Sequence, residues 1–259
     1  KMFVSDRQRR TEMEGNMKAL GYGIYLQWKM DIRSRSLLIT CYLVPLLFFL
    51  MMGSVFTSIM PESQETLMAS MTVMGVSMGA YIGLPPSIAE IYGTDIKKMY
   101  MANHIPEYFA VLSLFLSAFI HLMIMSGLIY ILSPLLFDAT CPIHPVLYFV
   151  MLILFVLVSL SIACILGLAV HNQAKLTMVS QIIFLPSIIL SGIMFPVSLL
   201  PSFLETIGKL CPATWGYLLL IEQPIQLSNV FILCMILIVA LVICYALLRS
   251  IRSSFRHLP

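Results

Sequence analysis

Six long apolar runs constrain this chain more than any other feature of its sequence. Each approaches the ~20 residues that an α-helix needs to cross ~30 Å of hydrocarbon, the second run only just. The chain is 60% hydrophobic and 10% charged, far below the roughly 25% of charged residues in a soluble domain. The sequence therefore predicts an all-α membrane protein with six transmembrane helices. The expected spans are Ser36–Met60, Leu67–Leu84, Tyr108–Leu132, Val146–Val170, Leu176–Met194 and Val230–Leu248.

The polar stretches between the runs predict the domain organisation. Residues 1–35 are expected to form a cytosolic N-terminal segment, residues 36–249 a single six-span domain, and residues 250–259 a basic cytosolic tail. Within the six-span domain, we expect a cytosolic segment at 87–106 and an outer hairpin at 195–227. The charged N-terminus lacks the apolar core and cleavage site of a secretory signal.

The N-terminal segment contains an amphipathic pattern just before the first span. Met17, Leu20, Ile24 and Trp28 recur at three- and four-residue steps, which is typical of a helix lying in the membrane surface. Asp31 is expected among the polar residues on the other side of this helix. The sequence therefore predicts an interfacial helix that leads into the first span.

The distribution of lysine and arginine predicts the orientation. If both termini lie on one side, that side holds fourteen of the fifteen basic residues, and only Lys209 falls on the other. Basic residues are retained in cytoplasmic loops, so both termini are expected in the cytosol. We expect a multi-pass protein of a bacterial cell membrane.

The segment Ser87–Pro106 is the one long internal stretch that is both polar and helical in pattern. Pro85 and Pro86 are expected to stop the second span, and Ser87 with Glu90 forms a capping box that can start a new helix. Its apolar residues share one face: Ile88, Ile91, Tyr92, Ile96, Met99 and Tyr100. The pattern alone leaves open whether this helix is a docking surface for a cytosolic partner or a solvated loop.

The outer segment between the fifth and sixth spans is long but still apolar. Prolines interrupt it at 196, 201 and 212, and two short helical runs are expected at about 202–210 and 214–222. It is too interrupted to span the membrane. A re-entrant hairpin is allowed where protein covers its backbone, and we predict one here.

No enzyme motif occurs in the sequence. There is no G-x-x-x-x-G-K-[ST] phosphate loop, no H-E-x-x-H and no G-x-S-x-G, so no catalytic, cofactor or metal-binding residue is assigned. Of the six cysteines, Cys141 and Cys211 both fall in outer segments, where an oxidising compartment would allow them to pair. The sequence leaves this disulfide open.

Two intramembrane features have both a structural and a functional interpretation. Gly75, Gly79 and Gly83 lie on one face of the second span, a spacing that lets helix backbones approach closely. This face is expected to pack within the subunit, or alternatively to slide during transport. His121 lies in the middle of the third span, where an ionisable residue is a candidate functional site. A neutral, hydrogen-bonded histidine is the alternative.

The segment Leu190–Gly216 resembles the corresponding part of type 2 ABC exporter permeases. In that family the fifth span ends in an LSG-x-x-x-P pattern, which a short outer helix and a P-x-T-like motif follow. The matching residues are Leu190, Ser191, Gly192, Pro196, Pro201, Pro212 and Thr214; the family's usual Asn before the last proline is Cys211 here. The cytosolic stretch is similar too, through Glu90, Gly93, Thr94, Lys97, Lys98 and Pro106.

The resemblance implies partners and roles that the residues alone do not show. Permeases of this family work as dimers, of two copies or of paralogues, with two cytosolic ATPase subunits that bind ATP and Mg²⁺. The first cytosolic loop is a coupling helix that docks in the ATPase. Its implied contacts here are Glu90, Gly93, Thr94, Ile96, Lys97, Lys98, Tyr100 and Met101. The first and fifth spans would line the dimer seam, and the outer hairpin would close the route from above.

The expected function is export of a hydrophobic or amphipathic cargo, such as a drug, antibiotic, peptide or lipid-like molecule. Aromatic residues of the first span keep export of a lipid-linked polysaccharide as an alternative. Two other classes remain: a membrane scaffold subunit without transport, and an ion-coupled carrier that uses His121. An ion-coupled carrier should show repeated halves and carboxylates in the middle of its spans. The sequence shows neither, which argues against the carrier. We expect lipid and no nucleic acid among the partners.

Overall fold

The computed structural model describes residues 21–33, 35–59, 64–93, 108–194, 197, 200–221 and 224–255. Throughout these residues the regular structure is helical, without a strand. Six of the described helices are long and apolar enough to cross a membrane. The all-α fold class with six candidate transmembrane helices is therefore confirmed.

The helices are numbered here in chain order. Helix α1 covers 21–33; α2 comprises Arg35–Leu38, a π turn Ile39–Leu43 and Val44–Ile59; and α3 comprises Gln64–Met78, a π turn Gly79–Gly83 and Leu84–Gly93. The following helices are α4 Tyr108–Phe137, α5 Pro145–Ala169, α6 Gln173–Leu190, α7 Ser202–Gly208, α8 Pro212–Ile221 and α9 Leu227–Phe255. The long helices α2, α3, α4, α5, α6 and α9 correspond in order to the six predicted spans.

Helix α3 is the centre of the bundle. In its most apolar stretch of 18 residues, 83% of the residues are buried, against 28% in the corresponding stretch of α2 and 17% in that of α9. Its core residues include small and hydroxyl side chains, such as Ser70, Thr72 and Ser77, beside Met71 and Met74. Small residues let neighbouring helices approach closely where no water drives their association. The other spans are therefore arranged around α3.

The second span does not end where the sequence predicted. Pro85 and Pro86 lie inside a continuous helix that ends at Gly93, so the expected new start at Ser87 is wrong. Proline lacks the N–H that would donate to the carbonyl four residues earlier in an α-helix. Those carbonyls lie in the wide π turn Gly79–Gly83, where the regular α-helical hydrogen bonds are already interrupted. Neighbouring helices stabilise the segment, as is usual for prolines within a membrane.

The last turns of α3 are consequently less exposed than predicted. Ile88, Ala89 and Tyr92 are buried, while Glu90 is exposed. Ile88 packs against Gly167 of α5, where an added Cβ would lie 2.6 Å from the Cβ of Ile88. Residues 87–93 therefore belong to the membrane bundle, and 94–106 of the predicted cytosolic segment lie outside the described residues.

Other boundaries differ modestly from the expected ones. The third span continues five residues beyond the predicted Leu132, to Phe137, and α9 continues into the predicted tail as far as Phe255. Helices α7 and α8 match the two short outer runs. Residues 21–33 of the predicted interfacial helix are helical, whereas 1–20 lie outside the described part.

Candidate coupling surface and polar cluster

The end of α3 carries the described part of the expected coupling segment. Glu90 and Gly93 are exposed there. A Cβ on Gly93 would lie 3.5 Å from the carbonyl oxygen of His171, in the turn between α5 and α6. The other expected coupling residues lie outside the described residues: Thr94, Ile96, Lys97, Lys98, Tyr100 and Met101.

The turn between α5 and α6 is held against the same end of α3. The Nε2 amide of Gln173 donates a hydrogen bond to the carbonyl of Pro86, at 3.3 Å. Asn172 caps α6, its side-chain oxygen accepting from the backbone N–H of Lys175 at 3.0 Å. The two segments that the sequence assigns to the basic side thus lie in contact and form one surface.

The glycine face of α3 is covered by other helices of the same chain. A Cβ on Gly75 would meet the methyl end of Met125, and one on Gly79 would lie 2.4 Å from Leu122, both on α4. A Cβ on Gly83 would lie 3.3 Å from the sulfur of Cys41 on α2. These contacts favour packing within the subunit over a seam with a second copy.

His121 lies in a polar cluster between α2 and α4. Its side chain is 2% exposed, and its Nδ1 shares a 2.7 Å hydrogen bond with the hydroxyl of Tyr42. The two rings meet edge to face, with centroids 5.7 Å apart. The Nε2 atom is buried and has no hydrogen-bond partner within the described part of the chain. Such an atom is explained by an ordered water, by strain or by a functional role.

Asp31 completes the cluster, so the prediction that it lies on the polar side of its helix is wrong. Its carboxylate is buried and accepts hydrogen bonds from Ser117 Oγ at 2.5 Å and from Gln27 Nε2 at 2.8 Å. The periodicity of α1 could have predicted this position, because Asp31 follows Ile24 and Trp28 at the next helical step and so lies on the same face. A buried carboxylate on the apolar stripe of a helix indicates a specific polar partner.

The cluster surrounds a small cavity where two π turns meet. The cavity is about the size of one water molecule, and Asp31, Cys41, Gly79, Gly83, Ser87 and His121 are among its lining residues. Cys41 belongs to the π turn of α2, and the two glycines belong to that of α3. In each helix a proline follows the π turn by two residues, at Pro45 and Pro85. Single π turns within α-helices are frequent at functional sites.

The expected outer-gate residues lie where α6, α7 and α8 meet. Ser191 is buried, and its hydroxyl donates to the carbonyl of Ile188 at 3.1 Å. Gly192 has a φ of +85°, a left-handed conformation that favours glycine and reverses the chain after α6. Pro201 immediately precedes α7. Pro196 lies outside the described residues.

The start of α8 stabilises the end of α7. Pro212 is the first residue of α8, where its missing N–H costs nothing. Thr214 Oγ1 donates to the carbonyl of Gly208 at 2.6 Å. A Cβ on Gly208 would lie 2.5 Å from the carbonyl oxygen of Leu190, so α7 packs directly on the backbone of α6. The residues of the motif thus hold the outer helices together.

The disulfide that the sequence left open is not formed. Cys141 and Cys211 are both free thiols, the first exposed and the second half-buried. Burial raises the pKa of the Cys211 thiol, and a hydrogen bond with Ser187 partly opposes that effect.

The fold and these contacts define a class: a helical membrane protein with six candidate spans, a helix at 21–33 before the first span and two short helices before the last span. The family model of the ABC-2 type transporter matches residues 22–223, which is most of the chain. The chain therefore belongs to the ABC-2 type transporter family. No curated protein matches the chain.

Proposed function

We propose that the chain is the permease subunit of an ATP-driven ABC exporter. Two permeases would form the route, and two separate cytosolic ATPase subunits, which bind ATP and Mg²⁺, would supply the energy. The family match over residues 22–223 carries this proposal. The proposal places ATP binding in the partner, since the given sequence contains no phosphate-binding loop.

The uneven burial of the spans supports a second permease. The most apolar windows of α2 and α6 are only 28% and 33% buried within the single chain. On α2 the uncovered side chains are apolar and mostly aliphatic, including Leu43 and Leu47, with Phe48 and Met51 among them. Because α9 is buried still less, at 17%, the choice between these helices follows the family resemblance, which places the first and fifth spans at the seam. We propose that α2 and α6 face a second permease, a copy or a paralogue, and that α9 faces lipid.

We propose that the ATPase acts on the permease at the end of α3. The expected docking segment follows Gly93, at the end of the most buried span. A displacement of this end is opposed by contacts with α5 and with the α5–α6 turn, so it would be transmitted to the bundle. ATP can drive such a change only if it binds one arrangement better than the other.

A hydrophobic or amphipathic cargo is favoured over a lipid-linked polysaccharide. Aromatic residues of the first span were the reason to consider polysaccharide export, and most of them point into the protomer. Phe49 and Phe56 are buried, and Tyr42 contacts His121. Only Phe48 is on the uncovered side of α2. The nineteen methionines argue less for cargo, since Met68, Met71 and Met74 are simply packed in the core.

Reconstitution with the cognate ATPase tests the proposal. The purified chain should form a stable complex with the ATPase, and amphipathic compounds should stimulate ATP hydrolysis in proteoliposomes. If no ATPase binds, the exporter proposal is wrong. Binding without stimulation by any compound, and without vesicle transport, would instead favour the scaffold subunit.

A charged substitution in the expected docking segment gives a sharper test. Ile96→Glu should abolish ATPase binding or cargo-stimulated hydrolysis while membrane insertion stays normal, because a carboxylate in an apolar interface must be desolvated. Leu210→Glu is the matched control, since Leu210 is 80% exposed in the outer segment. Equal hydrolysis in the two variants would contradict the assignment of the coupling segment.

A further inference from the structure

Helix α1 contacts α4 at two levels that are equally spaced along both helices. A Cβ on Gly23 would meet the ring of Phe109, and Ser117 Oγ donates a hydrogen bond to Oδ2 of Asp31. The contacts run from 23 to 31 on α1 and from 109 to 117 on α4, which is about 12 Å along each helix at ~1.5 Å per residue. A helix that crossed α4 at a right angle would reach only one of these levels. Helix α1 therefore runs alongside α4 in the same direction.

The polar contact between the two helices is oriented from within α1. Gln27, one turn before Asp31 on the same helix, donates from Nε2 to Oδ1 of the carboxyl group at 2.8 Å. This bond leaves Oδ2 directed at the hydroxyl of Ser117. Asp31 and Ser117 are both buried, and a hydrogen bond between buried groups is costly to break. The contact can therefore hold α1 at one level of α4.

We propose that Asp31 is a positioning residue that fixes the register of α1 on α4, so that the two helices move as one unit. In this register Gln27 lies opposite Ser113, midway between the two contacts. Ser113 is buried and lies one turn before Ser117 on the same face of α4. Its hydroxyl donates within its own helix, to the carbonyl of Ala110 at 3.0 Å. The hydroxyl of Ser117 is thus the one of the two that joins α4 to α1.

The unit of α1 and α4 has a consequence for a cytosolic partner, and this consequence rests on the proposed function. Residues 94–107 connect α3 to α4 in the sequence, so a load on that segment acts on both of these helices. Because α1 is fixed to α4, it follows the displacement of the third span. An ATPase that docks on the connecting segment would therefore move α1 together with α4.

Amide hydrogen–deuterium exchange of the full chain in phosphatidylcholine nanodiscs tests the positioning role. Ser117→Ala should accelerate exchange of residues 21–33 by about tenfold, because it removes the donor to Asp31. Ser113→Ala is the matched control, since it deletes a buried hydroxyl that bonds only within α4. Asp31→Asn should keep more protection than Asp31→Leu, because asparagine retains an oxygen acceptor. Unchanged exchange in Ser117→Ala, or an equal acceleration in Ser113→Ala, would overturn the proposal.

Disulfide cross-linking in the same nanodiscs tests the register. Gln27→Cys combined with Ser113→Cys should form a disulfide on mild oxidation. Lys29→Cys combined with Ser113→Cys should not, because Lys29 is exposed on the other side of α1. Mass spectrometry of the linked peptides distinguishes these bonds from any formed by the native cysteines. No bond in the first pair, or equal bonding in the two pairs, shows that the register is wrong.

The same disulfide separates this proposal from the proposed transport function. If α1 and α4 move as one unit, the oxidised Gln27→Cys, Ser113→Cys protein in complex with its ATPase should hydrolyse ATP as fast as the reduced protein. Inhibition that reduction relieves would show that the helices separate during the cycle, and the single unit would be wrong. If no ATPase binds, the exporter proposal fails, whereas exchange and cross-linking still decide whether Asp31 fixes the register of α1.

Discussion

At the residue scale, single glycines determine how closely the spans approach one another. Gly167 is the clearest case, because an added Cβ would lie 2.6 Å from Ile88 Cβ and 2.9 Å from the carbonyl oxygen of Pro85. Neither atom is at the end of a flexible side chain. Gly127 lies in α4 with nothing within 4 Å of the corresponding position. Gly167 therefore permits close packing of α5 on α3, whereas Gly127 has no neighbouring helix against it, although both lie within apolar spans.

Gly167→Ala should destabilise the protein, whereas Gly127→Ala should not. Overpacking at Gly167 is expected to cost about 1–3 kcal/mol, because the backbone of α3 must move. Gly127→Ala should be neutral or stabilising by up to about 1 kcal/mol, since alanine is the better helix former. Thermal unfolding of the purified variants measures the difference. Equal unfolding temperatures would show that α3 and α5 are less closely packed than described.

Asp31 shows what the sequence could and could not predict at this scale. The spacing of Ile24 and Trp28 extends directly to Asp31, so its position on the buried face was available from periodicity. Its charge argued for the opposite face, since aspartate is rarely buried without a partner. One partner, Gln27, is local, but the other, Ser117, is 86 residues away in sequence, and no local pattern connects Ser117 to Asp31.

At the element scale, α3 shows how tertiary packing overrides a local signal. Pro85, Pro86 and the Ser87–Glu90 box all indicate a break, and each is a sound local rule. The rules fail because the π turn precedes the prolines and because Gly167 allows α5 to cover the segment. The apolar lengths of the spans were predictable, since they depend on the thickness of the bilayer rather than on neighbouring helices.

Two alanine substitutions distinguish the true helix cap from the apparent one. Asn172→Ala should cost about 1 kcal/mol, because it removes the acceptor for the Lys175 N–H at the start of α6. Ser87→Ala should have little effect, because Ser87 lies inside α3. Thermal unfolding and amide exchange at residues 173–176 measure both variants. A larger loss of stability in Ser87→Ala would indicate that a helix does begin at that serine.

At the scale of the whole molecule, the order of the spans and the grouping of segments on one side are consistent with the lysine and arginine distribution. The contact between Gly93 and His171 joins two loops that the charge count assigns to one side. The six-span fold could thus be predicted from composition and charge. The polar cluster could not, because it is assembled from side chains of α1, α2 and α4 that only the fold brings together.

Cysteine labelling tests the predicted orientation. Cys141 is exposed in the loop between α4 and α5, so a membrane-impermeant maleimide should label it rapidly from outside intact cells, and Cys141→Ser should remove this rapid labelling. Cys211 should react more slowly and accelerate as the pH rises, because burial raises its thiol pKa and the thiolate is the reactive form. Labelling of Cys141 only after permeabilisation would show that the predicted orientation is wrong.

The unbroken course of α3 has a mechanical consequence. Its 30 residues make a rod about 45 Å long at ~1.5 Å per residue, but the rod is not equally stiff along its length. The π turn and the two prolines remove regular backbone hydrogen bonds within one short stretch, so its bending compliance is concentrated there. A load applied at Gly93 would therefore flex α3 at the level of Cys41 and His121. The helix that receives the load would then also contain the point of bending, and this point lies beside the buried carboxylate of Asp31.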